Sequence, residues 1–295
     1  MTSCHANSMI SQAYRQSVSS DHGIDVWLID PAAVLAEESQ PQAILTEEER
    51  MNYRQFIFPQ GRELYLASHV FLRRVLAQYI GTAPQAVAFS TSITGRPQLR
   101  CENGAHRVQF NLSHTFGLIA VVVSRDWNCG IDVEYMRETV DIQTLGSALC
   151  TPPERDWLLC MEETAQIDAF FGLWTIKEAL LKACGLGVTQ DLNNISLIRE
   201  RHIPHLVVTH SPRIVLPGIW WIESARIASQ YCIAIAFGSR DTCGVATKHP
   251  ARFVTVIDMR RDAKTKVSQR MTLPVLDAAA WQIACHDTFA LGMSI

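Results

Sequence analysis

The chain has 295 residues, 48% of them hydrophobic and 19% charged, with a formal net charge of −3. That composition supports packed cores, excludes a disordered or collagen-like chain, and gives no general electrostatic reason to bind nucleic acid. No apolar run is long enough to cross a bilayer, and residues 1–22 read as a polar leader without the apolar core of a secretory signal, so a cytoplasmic protein with no membrane partner is expected.

Ile24-Asp25-Val26-Trp27-Leu28-Ile29 reads as a first strand. A helical section is predicted from about Thr46 to Ile80, where Thr46-Glu47-Glu48-Glu49 resembles a capped start, Leu64, Ala67, Val70, Phe71 and Leu72 supply an apolar face, and Gly81 ends it. From Val87 to Ser124 the pattern is strands and turns: Gly95-Arg96-Pro97 punctuates, and Leu118 to Val123 form a continuous buried strand. In Gly130-Ile131-Asp132-Val133-Glu134 the acids alternate with branched apolar residues, so a strand would project both carboxylates from one face.

Glu154 follows Pro152-Pro153 at a helix start, and a further helix is predicted over Ile167 to Cys184, closed by Gly185-Leu186-Gly187. Glu178 and Lys182 lie four apart on it, one turn from each other. Ile195–Ile198, Leu206–Val208, Trp220–Ile222 and Tyr231–Ala236 then read as strands of a second sheet. The order strand, helix, strands occurs twice, which predicts two α+β halves, residues 23–127 and 128–238, packed against one another. Residues 239–295 change character: Val254, Val256 and Ile257 suggest a strand, Leu276 to Cys285 a helix, and the apolar content favours an ordered extension packed on the second half. The nine cysteines are scattered from Cys4 to Cys285 without paired short spacing, as expected for buried thiols in a reducing compartment.

The carboxylates carry the chemistry. Two acids side by side on a rigid strand repel unless a cation lies between them, and a third from a helix would complete an all-oxygen site that suits Mg²⁺. Spacing alone favours the plainer reading, a solvated sheet face and a surface Glu-Lys pair.

Four segments in order, Gly95-Arg96-Pro97, Phe110-Asn111-Leu112-Ser113-His114, Gly130 to Glu134, and Trp174-Thr175-Ile176-Lys177-Glu178-Ala179 with Lys182 and Gly185, resemble the Sfp-type 4'-phosphopantetheinyl transferases. The resemblance extends from about Ile24 to Phe237. It implies a pseudo-dimer of two similar α+β halves with coenzyme A in the cleft between them, acting as a monomer on an apo acyl or peptidyl carrier protein and releasing adenosine 3',5'-bisphosphate. It also implies Mg²⁺ on Asp132, Glu134 and Glu178, with Lys182 neutralising phosphate charge. Arg62, Arg96, Ser113, His114 and Lys182 would contact coenzyme A, and Glu178, or else Glu154, would be the general base. Asn111 is read as tying neighbouring backbone rather than touching ligand, and Trp174 as a core anchor. Two other readings stand beside this one: another Mg²⁺-dependent phosphoryl or nucleotidyl transferase, and a catalytically silent coenzyme A or carrier-protein binding module.

Overall fold

A computed structural model describes residues 23–93, 95–100, 108–137, 140–186, 192–198, 207–210, 220–239 and 254–259. The polar leader and the helix expected at Leu276 to Cys285 lie outside the described residues.

The first half opens with β1 (Ile24–Ile29), buried along its whole length. A six-residue helix that the sequence pattern did not suggest, α1 (Pro31–Ala36), follows and is capped by the Asp30 side chain. The helical section expected from Thr46 to Ile80 is two helices, α2 (Glu47–Gln55) and α3 (Pro59–Ile80). Thr46 and Glu49 form a reciprocal capping box at the start of α2. The break falls where Pro59 forces Phe58 into an extended backbone, and Gly81 ends α3 in the left-handed conformation. Next come the short hairpin β2 (Phe89–Thr91) and β3 (Pro97–Leu99), then β4 (Gln109–Thr115) and β5 (Leu118–Ser124).

The second half repeats this order. β6 (Trp127–Tyr135) carries the acids, α4 (Ile142–Leu149) and α5 (Pro152–Leu159) are short, and α6 (Glu163–Cys184) matches α3 in length at 22 residues. The short pair β7 (Ile195–Ile198) and β8 (Val207–His210) precedes β9 (Trp220–Ile227) and β10 (Tyr231–Ser239). Strand order is β1-β5-β4 in the first sheet and β6-β10-β9 in the second, all antiparallel, so each half has the same topology.

The two sheets pack face to face. Val26, Leu28, Ala120 and Val122 of the first meet Ile131, Val133, Ile233 and Ile235 of the second in one apolar layer. The outer face of the first sheet, including Trp27, Val121 and Val123, packs on Val70, Phe71 and Val75 of α3. Ala234 and Ala236 on the outer face of the second pack on Ile176, Ala179 and Leu180 of α6. The result is a helix, sheet, sheet, helix sandwich of mixed α+β class, in which period-two alternation sends Ile131 and Val133 inward and Asp132 and Glu134 toward α6.

The region after Ser239 does not simply pack on the second half. β11 (Val254–Asp258) pairs in parallel with β1 and so extends the first sheet, with Val254 and Val256 entering the layer between the sheets. A parallel partner more than two hundred positions away carries no local sequence signal.

The edges β4 and β6 meet through side chains rather than a backbone ladder. Asn111 Oδ1, Ser113 Oγ and Thr115 Oγ1 accept from the backbone N–H groups of Ile131 (2.9 Å), Val133 (3.3 Å) and Tyr135 (3.1 Å). Alternate side chains of β4 therefore satisfy alternate edge donors of β6.

Candidate active site

Asp132 stands on β6 at this seam, 3% exposed. Its Oδ1 accepts from Lys182 Nζ at 2.6 Å and from Ser113 Oγ at 2.9 Å, and Lys182 Nζ also donates to Ser113 Oγ at 3.3 Å. Lys182 arrives from α6, which can approach β6 because position 130 has no side chain: a Cβ there would lie 2.2 Å from the Ala179 carbonyl oxygen and 2.4 Å from the Ala183 nitrogen. Three elements thus bring a carboxylate, an ammonium and a hydroxyl into one cluster. Asp132 Oδ2 is buried and has no hydrogen-bond partner, an uncompensated acceptor of the kind that calls for a cation or donor.

Glu134 and Glu178 flank this cluster, both half-buried. Burial raises the Glu134 carboxyl to about 7, with the charges of Asp132 and Glu178 adding to the effect and Lys182 and Arg137 opposing it. Glu178 is also raised, first by burial and then by Asp132, against the pull of Lys182. The three acids are therefore electrostatic neighbours. Among the described residues no group of three or more His, Cys, Asp or Glu side chains is assembled as a ready metal-ligand set. Lys182 holds Asp132 Oδ1.

His114 lies next to Ser113 on β4 and is exposed. Although part of the side chain stays in solvent, partial loss of water around the ring, then the charges of Lys182 and His69, hold its imidazole below the ordinary value. His69 was not singled out from the sequence. It stacks on Tyr65 at 4.0 Å and its Nδ1 shares a hydrogen bond with Glu49 Oε1 at 3.0 Å. The available signal was its position seven residues after Arg62 on the same helix face.

Three expected site residues are engaged elsewhere. Glu154, a candidate base, is 4% exposed and structural. Its Oε2 accepts from Lys177 Nζ (2.5 Å) and the Thr151 backbone N–H (2.8 Å), closing a capping box on α5, and its Oε1 accepts from Leu197 N (2.8 Å). With both oxygens committed inside the protein, it has no access to a substrate proton. Arg96, expected on coenzyme A, donates to the backbone oxygens of Ala183 (2.8 Å), Phe110 (3.1 Å) and Cys129 (2.8 Å). Arg62 donates twice to Phe56 O (3.2 and 2.6 Å) and lies 5.8 Å from the Tyr53 ring centre, with no bond to the Asp132 cluster. Asn111, by contrast, ties backbone as its sequence setting implied. Trp174 stacks on Phe171 in the core at 6.0 Å.

Two family models match consecutive stretches of the chain. One, described as 4'-phosphopantetheinyl transferase, N-terminal, covers residues 35–126, and the other, the 4'-phosphopantetheinyl transferase superfamily, covers residues 128–236. The boundary between them falls at the seam between the two sheets. Among curated relatives, the 4'-phosphopantetheinyl transferase HetI of Nostoc sp. is 35% identical over 156 residues, 52% of this chain and 66% of that protein. A 4'-phosphopantetheinyl transferase of Bacillus subtilis is 28% identical over 212 residues, 70% of this chain and 88% of that protein. The L-aminoadipate-semialdehyde dehydrogenase-phosphopantetheinyl transferase of Rattus norvegicus is 23% identical over 251 residues, 77% of each chain. The chain thus spans about two thirds of the first of these relatives and more of the other two.

Proposed function

The chain belongs to the 4'-phosphopantetheinyl transferase superfamily, and from that premise we propose that it moves the phosphopantetheine arm of coenzyme A onto a serine of an apo acyl or peptidyl carrier protein. The observation that carries the reading is the Ser113-Asp132-Lys182 cluster with its buried, unpartnered Asp132 Oδ2, placed between two further acids.

The serine oxygen forms a bond to the phosphorus next to the pantetheine arm, the bond from that phosphorus to the bridging oxygen breaks, and adenosine 3',5'-bisphosphate leaves. Nucleophile, electrophile and leaving group all carry or develop negative charge, so fixed positive charge and positioning dominate the barrier. Lys182 supplies an ammonium in a partly dehydrated setting, where its charge acts more strongly than in bulk water. Glu178 is the general base: its raised proton affinity suits it to take the serine proton, and it stands one helical turn from Lys182.

The donor chemistry fits Mg²⁺. Asp132, Glu134 and Glu178 offer only carboxylate oxygens, and a divalent ion would relieve their mutual repulsion and the raised proton affinities of Glu134 and Glu178. When bound there, the ion supplies charge neutralisation and orientation of the coenzyme A pyrophosphate. His114, exposed on the same strand as Ser113, is available to a phosphate of coenzyme A. The protein is proposed to work as a cytoplasmic monomer, with the two halves, residues 23–127 and 128–238, forming the cleft.

Incubating the purified chain with coenzyme A, Mg²⁺ and an apo carrier protein, then weighing the carrier, tests this. A mass gain of one phosphopantetheine group, lost when divalent metal is omitted, is expected. Coenzyme A binding with no gain would leave a silent binding module, and release of nucleotide without transfer would favour a different phosphoryl transferase.

A further inference from the structure

We infer that Phe116 is a docking residue for the carrier protein, an exposed aromatic side chain held rigid at the open end of the β4–β6 seam, against which an apolar side chain beside the acceptor serine seats. The inference rests on the transferase reading above and deepens it by naming the rim that meets the protein substrate.

The strands β4 and β6 run side by side in the same direction, since Asn111, Ser113 and Thr115 meet Ile131, Val133 and Tyr135 in order. The groups of the site lie toward the ends of both. Ser113 bonds Asp132, and the exposed His114 and half-buried Glu134 follow. The next step outward is aromatic on each strand. Tyr135 closes β6 with its N–H on Thr115 Oγ1, and Phe116 follows β4, 76% exposed, with its ring edge-on to Tyr135 at 5.6 Å.

A single exposed apolar side chain is ordinary on a protein surface. Phe116 differs in being fixed where it stands. Thr115 pairs with Leu118, so Phe116 and Gly117 form a two-residue turn, and Gly117 takes φ +73°. A Cβ at position 117 would lie 2.6 Å from Tyr231 Oη, so only glycine lets the turn settle on that ring. Tyr231 in turn packs edge-on against Tyr135 at 5.6 Å. An aromatic group presented on such a scaffold gives up little freedom when a partner covers it, which is the property of an interface anchor.

The size of the partner selects the occupant. Phe116 and Tyr135 each lie three positions beyond Ser113 and Asp132, about 10 Å along an extended strand. A specific protein interface covers about 800 Å² on each side, a patch roughly 16 Å in radius. A carrier that brings its serine to the Asp132 cluster therefore covers Phe116 as well. The ring pair also lies across β6 from the carboxylates, because alternation sends Tyr135 with Ile131 and Val133 to the layer between the sheets and Glu134 toward α6. A broad protein surface spans both sides of the strand. Arg137, exposed two residues beyond Tyr135 and close enough to act on Glu134, adds a cation to this rim, so the complementary surface is an apolar side chain flanked by acids.

The test compares Phe116→Ala and Phe116→Tyr with the unaltered full-length chain. It reads kcat, the KM for apo carrier, the KM for coenzyme A, the Kd for a dye-labelled apo carrier, and the thermal midpoint. In Phe116→Ala the carrier KM and Kd should rise on the order of tenfold, as for loss of an interface anchor. The coenzyme A KM, kcat at saturating carrier and the midpoint should hold, and Phe116→Tyr should keep most of the carrier affinity. A raised coenzyme A KM with an unchanged carrier KM would overturn the docking role and place the ring on the pantetheine arm. A carrier KM and Kd that do not move, whatever the midpoint does, would leave Phe116 an exposed turn residue. An unaltered chain that binds carrier but transfers nothing sinks the transferase reading instead, and the Kd of the two variants then judges the rim; a chain that binds no carrier sinks both.

Discussion

In the proposed reaction, two glutamates on different helices divide between the site and the fold. Glu178 is half-buried beside Lys182 with its proton affinity raised. Glu154 is enclosed against Lys177, whose side chain is 0% exposed. Glu178→Gln should therefore cut the transfer rate by about 10²-fold or more while leaving the thermal midpoint nearly unchanged. Glu154→Gln strands a buried ammonium and should cost on the order of 3 kcal/mol of stability, with the rate of the protein that remains folded little affected. Paired denaturation curves and steady-state rates on both variants check this, and a rate loss confined to Glu154→Gln would reverse the assignment. The distinction was written in the chain, since Thr151-x-x-Glu154 has capping-box spacing, but Pro152-Pro153-Glu154 reads equally as an exposed acid at a helix start.

At the level of elements, the close approach of α6 to β6 is what turns separate motifs into a site. Gly130 permits it, and Gly130→Ala should lower stability by several kcal/mol, because the added carbon meets backbone atoms of Ala179 and Ala183 that no rotamer change can move aside. Transfer activity should fall with it as Lys182 is pushed off Asp132, and a chemical-denaturation midpoint equal to the unaltered protein's would show that the helix can shift freely. Period-two alternation made the faces of β6 legible, and αL glycines made the ends of α3 and α6 legible, because both follow from local backbone geometry. Long-range choices were not legible: that Arg96 would find carbonyls on three elements, that Ser113 would bond Asp132, or that β11 would return beside β1. Such contacts exist only once two sheets have stacked, and no window of sequence encodes them.

Across the whole molecule, side chains of α3 hold two buried acids of neighbouring elements, Asp25 of β1 and Glu49 of α2, whose proton affinities move in opposite directions and bear on how stability depends on pH. Asp25, buried on β1 and accepting from Tyr79 Oη at 2.7 Å, is raised by burial to about 6 despite that bond and the charge of Arg125. Its folded form holds a proton that the unfolded chain gives up near the ordinary value of 3.8, so the stability tied to it is complete at low pH and is lost as pH rises from about 4 through about 6. Glu49 behaves in the reverse sense: burial would raise it, but bonds from His69, Thr46 and Arg73 outweigh that and lower it to about 2. Its contribution is complete above the ordinary value of 4.5 and is lost as pH falls toward about 2. The two windows meet between about pH 4 and pH 5, where the first half should be held most firmly by these groups. Asp25→Asn should flatten the decline in thermal midpoint on the neutral side while leaving the acid limb intact. Glu49→Gln should weaken the protein at neutral pH, because Arg73 loses its buried partner, and should remove much of the acid-side slope. Midpoints measured for both variants from about pH 3 to pH 8 separate these effects, and an unaltered neutral limb in Asp25→Asn would mean that Arg125 and Tyr79 already keep Asp25 ionised in the folded protein.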